Sequence, residues 1–166
     1  AQAKLAGWRI GSKDVHFPGA YWAATSKHPQ FEPIKGYKDL DVRWNMHAVP
    51  GTFGFELLDG LPHPSDYGFF AYKGIEPDMH PYGACYHDLA DTQSTGVIEF
   101  LTLKGVKLVI VGGLATDYCV KLTTLQLLQA GFKVVLNLAA TRGITPETTE
   151  EAISEMRENG AIIIDN

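Results

Sequence analysis

The second half of the chain alternates short apolar runs with amphipathic segments, and no other feature of the sequence constrains the fold as strongly. The apolar runs have the length of strands and cover residues 107–111, 133–138 and 161–164. The amphipathic segments have helical periodicity and cover residues 95–104, 117–130 and 146–159. Apolar strands that alternate with helices are typical of a parallel sheet covered on both faces. The sequence therefore predicts a doubly wound α/β domain with a mainly parallel sheet.

The first half of the chain contains two further predicted strands and a long irregular region between them. The strands are predicted over residues 8–12 and 67–72, and the region up to about residue 64 is rich in Pro, Gly, His and aromatic residues. Irregular segments of this length are usually either functional or disordered, and the aromatic content argues against disorder. We therefore expect a structured loop region that carries functional side chains.

Length, charge and composition exclude several classes of protein. The chain has 166 residues, 45% of them hydrophobic, which suits one domain over residues 1–166 with its own core. Its formal net charge is -5 and its basic residues are scattered, so we expect no nucleic-acid partner. No apolar run approaches the roughly 20 residues that a membrane-spanning helix needs. With two cysteines and no signal-peptide pattern, the chain is predicted to be cytoplasmic.

Cys119 is the candidate nucleophile. It follows the strand predicted over residues 107–111 and falls in the first turn of the next predicted helix. Amides and the helix dipole at that position favour a thiolate, and the same amides could hold the oxyanion formed when a thiolate attacks a carbonyl. The alternative is that Cys119 is a small core residue, which is where free cysteine is most often found. Cys85 lies in a polar loop without a comparable helix start and is better explained as a structural residue.

Lys73 is a candidate partner for that thiolate. It directly follows the strand predicted over residues 67–72 and precedes Gly74. Residues that follow parallel strands share the carboxyl edge of the sheet, so we expect the ammonium of Lys73 on the same edge as Cys119. The alternative is a solvated charge at the end of a strand.

Asp14, His16 and His47 form a candidate metal site. Asp14 and His16 alternate directly after the first predicted strand, so in extended backbone their side chains point the same way. His47 lies in the aromatic loop region and is the best candidate for a third ligand. Two His and one Asp with open positions suit Zn, Fe or Mn. The alternative is a turn cap and ordinary loop histidines. The remaining histidines lack this spacing and are expected on the surface or in loops: His28, His63, His80 and His87.

Taken together, these motifs resemble the nicotinamidase/pyrazinamidase group of the isochorismatase-like cysteine hydrolases. Residues 113–120, Gly-Leu-Ala-Thr-Asp-Tyr-Cys-Val, look like the nucleophile turn of that family. Lys73 with Gly74 looks like its lysine, and Asp14-x-His16 with a distal His47 looks like its metal site. The resemblance covers essentially the whole chain and implies a Rossmann-like, three-layer fold. Relatives that cleave isochorismate or carbamoyl compounds usually lack these metal ligands, which favours the nicotinamidase branch.

The resemblance implies a reaction and a role for each of these residues. Cys119 would attack the carboxamide carbon of nicotinamide, releasing ammonia and leaving a thioester that water hydrolyses to nicotinate. Lys73 would stabilise the thiolate, and the amides of Ala115 and Cys119, next to a cis peptide between Leu114 and Ala115, would form the oxyanion hole.

The resemblance also implies how the substrate is held. One divalent metal ion would be held by Asp14, His16 and His47 and would bind the pyridine nitrogen. Zn is preferred, and Fe or Mn would also suit. Trp44 and Tyr82 would pack against the ring of the substrate.

Three features of the sequence depart from the family pattern. The catalytic Asp of the family lies at the end of a first strand, and no segment of this kind is present. Because residues 1–7 look like the last turns of a helix capped by Gly7, we expect that strand and most of the first helix to precede residue 1. The family commonly has a His near residues 20–22, where this chain has Ala-Tyr-Trp. Tyr82-Gly83 stands where Tyr-Ser is more usual.

Three functions are therefore considered. The first is a nicotinamidase in pyridine-nucleotide salvage, with a small-molecule substrate, no membrane partner and a possible homo-oligomeric state. The second keeps the thiolate chemistry but acts on another amide or a carbamoyl compound. The third is a non-catalytic relative that binds a metal or a ligand.

Overall fold

The structure, a computed structural model, describes residues 5–165. These residues form two compact units, which are described separately. The N-terminal unit comprises residues 5–81 and 86–95, and the C-terminal unit comprises residues 82–85 and 96–165. No helix within residues 5–165 has the length and hydrophobicity to cross a membrane.

A two-stranded parallel sheet organises the N-terminal unit. Strand β1, Ile10–Asp14, pairs with strand β2, Phe69–Lys73. The register places Ile10 opposite Phe69 and Asp14 opposite Lys73. Since the strands are parallel, the side chains at their carboxyl ends become neighbours although the sequence separates them widely. Each strand begins two residues later than the sequence pattern predicts.

The long irregular region between β1 and β2 has its own buried core. Trp22, Leu40 and Trp44 are all at most 7% exposed. Isolated bridges pair Ala23 with Trp44 and Pro33 with Val42, and the rest of the region is mostly turns and bends. The prediction of a structured loop region is therefore confirmed.

The C-terminal unit alternates helices and strands. Helix α1 is Val97–Leu103, strand β3 is Leu108–Leu114, helix α2 is Lys121–Gln129, strand β4 is Lys133–Arg142, helix α3 is Pro146–Glu158 and strand β5 is Ile162–Ile164. The strands form a parallel sheet in the order β3-β4-β5. The largest fully buried side chains described in this unit are Leu127, Leu136, Met156 and Val134.

The boundary between β3 and α2 differs from the prediction of one helix over residues 117–130. A π-helical turn, Thr116–Val120, precedes α2 and contains Cys119. The ladder between β3 and β4 is also irregular, with a register shift between Val111 and Gly113. Cys119 therefore lies in a widened turn at the entrance of the helix.

The described strands form two parallel sheets, which agrees with the prediction of a mainly parallel sheet. Apolar patterns report burial and do not specify which strands pair. Of the helix tail predicted over residues 1–7, residues 1–4 lie outside the described part of the chain, and residues 5–7 are not helical. Leu5 is 81% exposed, so no buried face stabilises a helix at that point.

Candidate functional site

Three imidazoles cluster in the N-terminal unit. One ring nitrogen from each of His16, His47 and His80 lies within 4.8 Å of the corresponding nitrogens of the other two. The ring centroid of His16 is 4.7 Å from that of His47 and 5.2 Å from that of His80. His16 and His80 are buried, whereas His47 is exposed. We call these three residues the imidazole cluster.

His80 lies in a loop, as expected, but it is buried and not on the surface. His80 is 5% exposed, and its ring stacks on that of His16. Its backbone N–H donates to the carbonyl of Asp39 at 3.0 Å, which draws this part of the loop into the interior. No spacing rule could have identified it, because the segment returns to β1 from a distant part of the chain.

Asp14 lies beside the imidazole cluster at the end of β1. Its Oδ2 atom is 4.0 Å from Nε2 of His16 and 3.9 Å from Nε2 of His47. Its Oδ1 atom accepts a hydrogen bond from Nζ of Lys73. The structure thus brings the predicted ligands Asp14, His16 and His47 together and adds His80 to them.

The hydrogen bonds of two imidazoles fix their tautomers. Nδ1 of His16 lies 2.9 Å from the carbonyl oxygen of Gly74, and Nδ1 of His47 lies 2.8 Å from that of Asn45. A carbonyl oxygen can only accept, so Nδ1 carries the proton in each ring and Nε2 presents a lone pair. Nε2 of His16 is buried and has no hydrogen-bond partner among residues 5–165. A backbone carbonyl on one ring nitrogen and a lone pair on the other is the usual arrangement of metal-binding histidine, so these residues fit a divalent cation.

The protonation states of the site also suit a cation. Burial lowers the pKa of His80 to about 3, with smaller contributions from His16 and Lys73, and burial likewise lowers the pKa of His16. Burial opposes ionisation of Asp14, but the charge and hydrogen bond of Lys73 outweigh it and hold the pKa of that carboxyl below its usual value. Neutral imidazoles and an ionised carboxylate are the forms that bind metals.

Lys73 is buried rather than solvated, which excludes the alternative of a surface charge. It is 2% exposed. Its Nζ atom donates to the carboxylate of Asp14 and to the carbonyl of Pro81, the latter at 2.8 Å. A buried ammonium needs such partners because desolvation is costly.

Gly74, which follows Lys73, leaves space for the ring of His16. A Cβ atom at this position would lie closer than 3.0 Å to Cε1 and Nδ1 of His16. Its φ of 72° is also in the left-handed region that side chains rarely adopt. The same residue therefore supplies both the carbonyl that orients His16 and the space that the ring occupies.

Tryptophan side chains surround the imidazole cluster. The ring of Trp22, which is fully buried, has its centroid 4.5 Å from those of both His16 and His80. Trp44 stacks on His80 at 5.9 Å with an interplanar angle of 17°. Sequence reasoning noted Trp22 only as a departure from a family pattern and did not anticipate its central position.

The nucleophile turn lies in the C-terminal unit. The peptide between Leu114 and Ala115 is cis, as the family resemblance implies. The carbonyl of Ala115 accepts hydrogen bonds from the amides of Tyr118 and Val120, at 3.2 and 3.0 Å. Cys119 is half-buried, whereas Cys85 is fully buried, and neither forms a disulfide within the described residues. Partial exposure argues against the alternative of a core cysteine at position 119.

Asp117 links the nucleophile turn to the start of α3. Its buried carboxylate accepts from the amide of Ile144 at 3.1 Å and from Oγ1 of Thr148 at 2.5 Å. Thr145 caps the same helix by accepting from the amide of Thr148. This link was not predicted from the sequence.

Tyr82 belongs to the C-terminal unit and Trp44 to the N-terminal unit. The ring of Tyr82 lies 5.5 Å from that of Tyr118, the residue before Cys119. Tyr82 is 9% exposed, so its ring is held in place by its surroundings.

Comparisons with known proteins identify the family. Residues 23–166 match the isochorismatase domain. The nicotinamidase of Escherichia coli is 32% identical over 93% of this chain and 73% of its own length. The nicotinamidase/pyrazinamidase of Mycobacterium tuberculosis is 28% identical over 89% of this chain and 71% of its own.

Solved structures give the same result. A nicotinamidase/pyrazinamidase of Acinetobacter baumanii superimposes with a TM-score of 0.88 at 27% identity, covering 99% of this chain and 80% of that one. A pyrazinamidase of Pyrococcus horikoshii in complex with zinc superimposes with a TM-score of 0.74 at 29% identity, covering 99% and 78%. The chain therefore belongs to the isochorismatase domain family and has the isochorismatase-like fold, with parallel sheets and helices.

Proposed function

We propose that this protein is a nicotinamidase that hydrolyses nicotinamide to nicotinate and ammonia and accepts related aromatic amides such as pyrazinamide. The observation that carries the proposal is the convergence of Asp14 with the imidazole cluster, with Nε2 of His16 presented as a buried lone pair. The family resemblance implies that relatives acting on isochorismate or carbamoyl compounds usually lack the ligands at the positions of Asp14, His16 and His47. The similarity to nicotinamidases over more than two thirds of both chains supports it.

In the proposed reaction the sulfur of Cys119 bonds to the carboxamide carbon. The amides of Ala115 and Cys119 hold the resulting oxyanion. The carbon–nitrogen bond then breaks, and the nitrogen leaves as ammonia with the proton that the thiol gave up. Water hydrolyses the thioester, which releases nicotinate and restores the thiol. Lys73 supplies the positive charge that the resemblance assigns to the catalytic lysine.

His16, His47 and His80, with Asp14 beside them, would hold one divalent cation. When bound, the cation supplies a positive charge that attracts the pyridine nitrogen and so orients the substrate. We propose Zn, which is supported by imidazole-rich coordination and by the zinc complex of the Pyrococcus relative, while Fe and Mn also suit this donor set. The proposal assigns ring-packing roles to Trp44 and Tyr82.

Ammonia release tests the proposal directly. Purified protein supplied with zinc should release ammonia from nicotinamide, and both Cys119→Ala and Cys119→Ser should abolish release because neither replacement supplies a thiolate. The exposed Ser154→Ala variant should retain full activity. Wild-type protein that binds zinc and nicotinamide without releasing ammonia would contradict the proposal and favour a non-catalytic relative.

A substrate panel tests the amide specificity. Nicotinamide and pyrazinamide should both be hydrolysed. An aliphatic amide and an N-carbamoyl compound should not, because they lack the ring nitrogen through which the substrate would be oriented. Faster turnover of a carbamoyl compound would favour the second function considered above. Within the proposal, the enzyme acts in pyridine-nucleotide salvage in the cytoplasm.

A further inference from the structure

A buried amide side chain lies between helix α2 and the Tyr82–Cys85 segment, both in the C-terminal unit. Gln126 of α2 is 6% exposed. Its Oε1 atom accepts a hydrogen bond from the backbone amide of Cys85 at 3.2 Å. A buried amide side chain costs free energy unless its polar atoms are paired, so this interaction fixes the segment relative to the helix.

Gly83 fits against Gln126 because it has no side chain. A Cβ atom on Gly83 would lie closer than 3.0 Å to Oε1, Cδ and Nε2 of Gln126. The φ angle of Gly83 is outside the positive range, so a side chain here would need the amide of Gln126 to shift and not a change in backbone conformation. Gly83 and Gln126 are therefore a matched pair, in which the amide fills the space that a side chain at position 83 would need.

A second hydrogen bond ties the same segment to the nucleophile turn. The amide of Ala84 donates to Oγ1 of Thr123 at 2.9 Å, and the same hydroxyl donates to the carbonyl of Cys119 at 2.6 Å. Thr123 and Gln126 are three residues apart on α2 and so share one face of the helix. Two consecutive amides of the segment thus bind two neighbouring side chains of the helix that begins beside Cys119.

We infer that Gln126 is a positioning residue that sets the ring of Tyr82 beside the nucleophile turn. Tyr82 is the first residue of the segment that Gln126 holds, and its ring lies 5.5 Å from that of Tyr118. The inference rests on the proposed function, in which Tyr82 packs against the ring of the substrate. The proposed reaction gives Gln126 no contact with a reacting atom, so we expect its effect on substrate binding and not on the chemical step.

The first test replaces the amide without changing the length of the side chain. Gln126→Met removes the acceptor, and we expect KM for nicotinamide to rise on the order of 10-fold while kcat changes less than about 2-fold. The matched control is Gln129→Met, an exposed glutamine on the same helix, which should leave both constants unchanged. In a Tyr82→Ala background, Gln126→Met should raise KM no further. A lower kcat with unchanged KM would indicate a merely structural residue and overturn the inference.

The second test measures the coupling between Gly83 and Gln126 through protein stability and needs no enzymatic activity. Gly83→Ala should lower the thermal unfolding midpoint, and adding Gln126→Ala to that variant should cost less than it costs in the wild type, because truncation removes the overlap. Additive effects of the two substitutions would overturn the pairing.

The third measurement separates the inference from the proposed function. Cys119 is half-buried and Cys85 fully buried, so iodoacetamide should alkylate Cys119, and nicotinamide should slow that reaction. The nicotinamide concentration that halves the rate should rise in Gln126→Met as KM does. A wild type that is protected but releases no ammonia would overturn the proposed function alone. Equal protection of wild type and Gln126→Met, or no protection of either, would overturn the inference.

Discussion

His16 depends on a neighbour that contributes no side chain. The carbonyl of Gly74 orients the imidazole through Nδ1, and the missing Cβ of the same residue leaves room for the ring. A histidine oriented in this way offers a fixed lone pair, and metal affinity is sensitive to such supporting contacts. The site therefore requires glycine at position 74 as much as it requires the ligands themselves.

Substitution of that glycine should reduce metal affinity. Gly74→Ala places a methyl group against the ring of His16, and we expect zinc affinity to fall by roughly 10- to 100-fold, the usual cost of losing a supporting contact. Isothermal titration with zinc measures the change.

Gly19→Ala is the matched control for this effect. Gly19 also has a positive φ, of 96°, but a Cβ atom there meets nothing within 4 Å. The Gly19→Ala variant should be less stable, because alanine is strained at a positive φ, but it should keep its affinity for zinc. Equal zinc affinities in the two variants would contradict the role assigned to Gly74.

Residue spacing was informative only where the ligands are local in sequence. Asp14 ends β1 and His16 follows two residues later, and the structure brings His47 to them as the aromatic loop suggested. His80 comes from a loop that folds back after β2, and no local pattern reports such a return. The family resemblance likewise implied the cis peptide before Ala115, which propensity rules do not predict.

At the scale of secondary structure, the nucleophile turn and α3 are joined by one carboxylate. Asp117 accepts hydrogen bonds from Ile144 and Thr148 at the start of the helix, so the N-terminal end of α3 is anchored to the turn that carries Cys119. An ionised acceptor at a helix N-terminus also interacts favourably with the helix dipole.

Removal of that carboxylate should destabilise the C-terminal unit. Asp117→Ala removes the buried acceptor of the Ile144 amide and of the Thr148 hydroxyl, and we expect a loss of about 2 to 3 kcal/mol in the free energy of unfolding. Urea unfolding measures it, with the exposed Asp165→Ala as the control that should change stability by less than about 0.5 kcal/mol. A loss below 1 kcal/mol in Asp117→Ala would contradict the anchoring role.

The ends of helices and strands agree with the prediction where neighbouring residues determine them. Helix α3 begins at Pro146 with Thr145 as its cap, as the sequence predicted, because capping and the fixed φ of proline are properties of neighbouring residues. Strand β4 runs to Arg142, beyond the predicted end at residue 138. Past the irregularity in the ladder, Thr141 and Arg142 pair with Gly113 and Leu114 of β3, so the partner strand rather than intrinsic propensity extends it.

For the whole molecule, the sequence predicted fold class better than strand pairing. Apolar runs separated by helical segments indicate parallel strands wherever they occur, and both observed sheets are parallel. The order β3-β4-β5 and the separate pairing of β1 with β2 depend on register and hydrogen bonding between distant segments, which no apolar pattern encodes.

Zinc should stabilise the whole protein against unfolding. A cation that binds the native imidazole cluster shifts the equilibrium by mass action, by about 2.7 kcal/mol at a free concentration 100 times Kd. Thermal unfolding in zinc and after chelation measures the shift, and chelation should also abolish ammonia release until zinc is restored.

Substitutions show which residues are responsible for the stabilisation by zinc. Cys119→Ala should keep it in full, since the thiol is not among the proposed ligands. His80→Ala should lose most of it, whereas His28→Ala, which removes an exposed imidazole paired with Glu32, should lose none. Equal zinc stabilisation of the two histidine variants would show that His80 is not a ligand.

The parallel pairing of β1 with β2 has a consequence for how the protein acquires its chemistry. The ion pair between Asp14 and Lys73 joins positions 59 apart, and the contact between His16 and Gly74 joins positions 58 apart. A contact between positions so far apart forms only when the chain between them closes into a loop, which costs conformational entropy. Affinity for a cation is therefore acquired late in folding, and newly made chains pass through their early collapsed states without it.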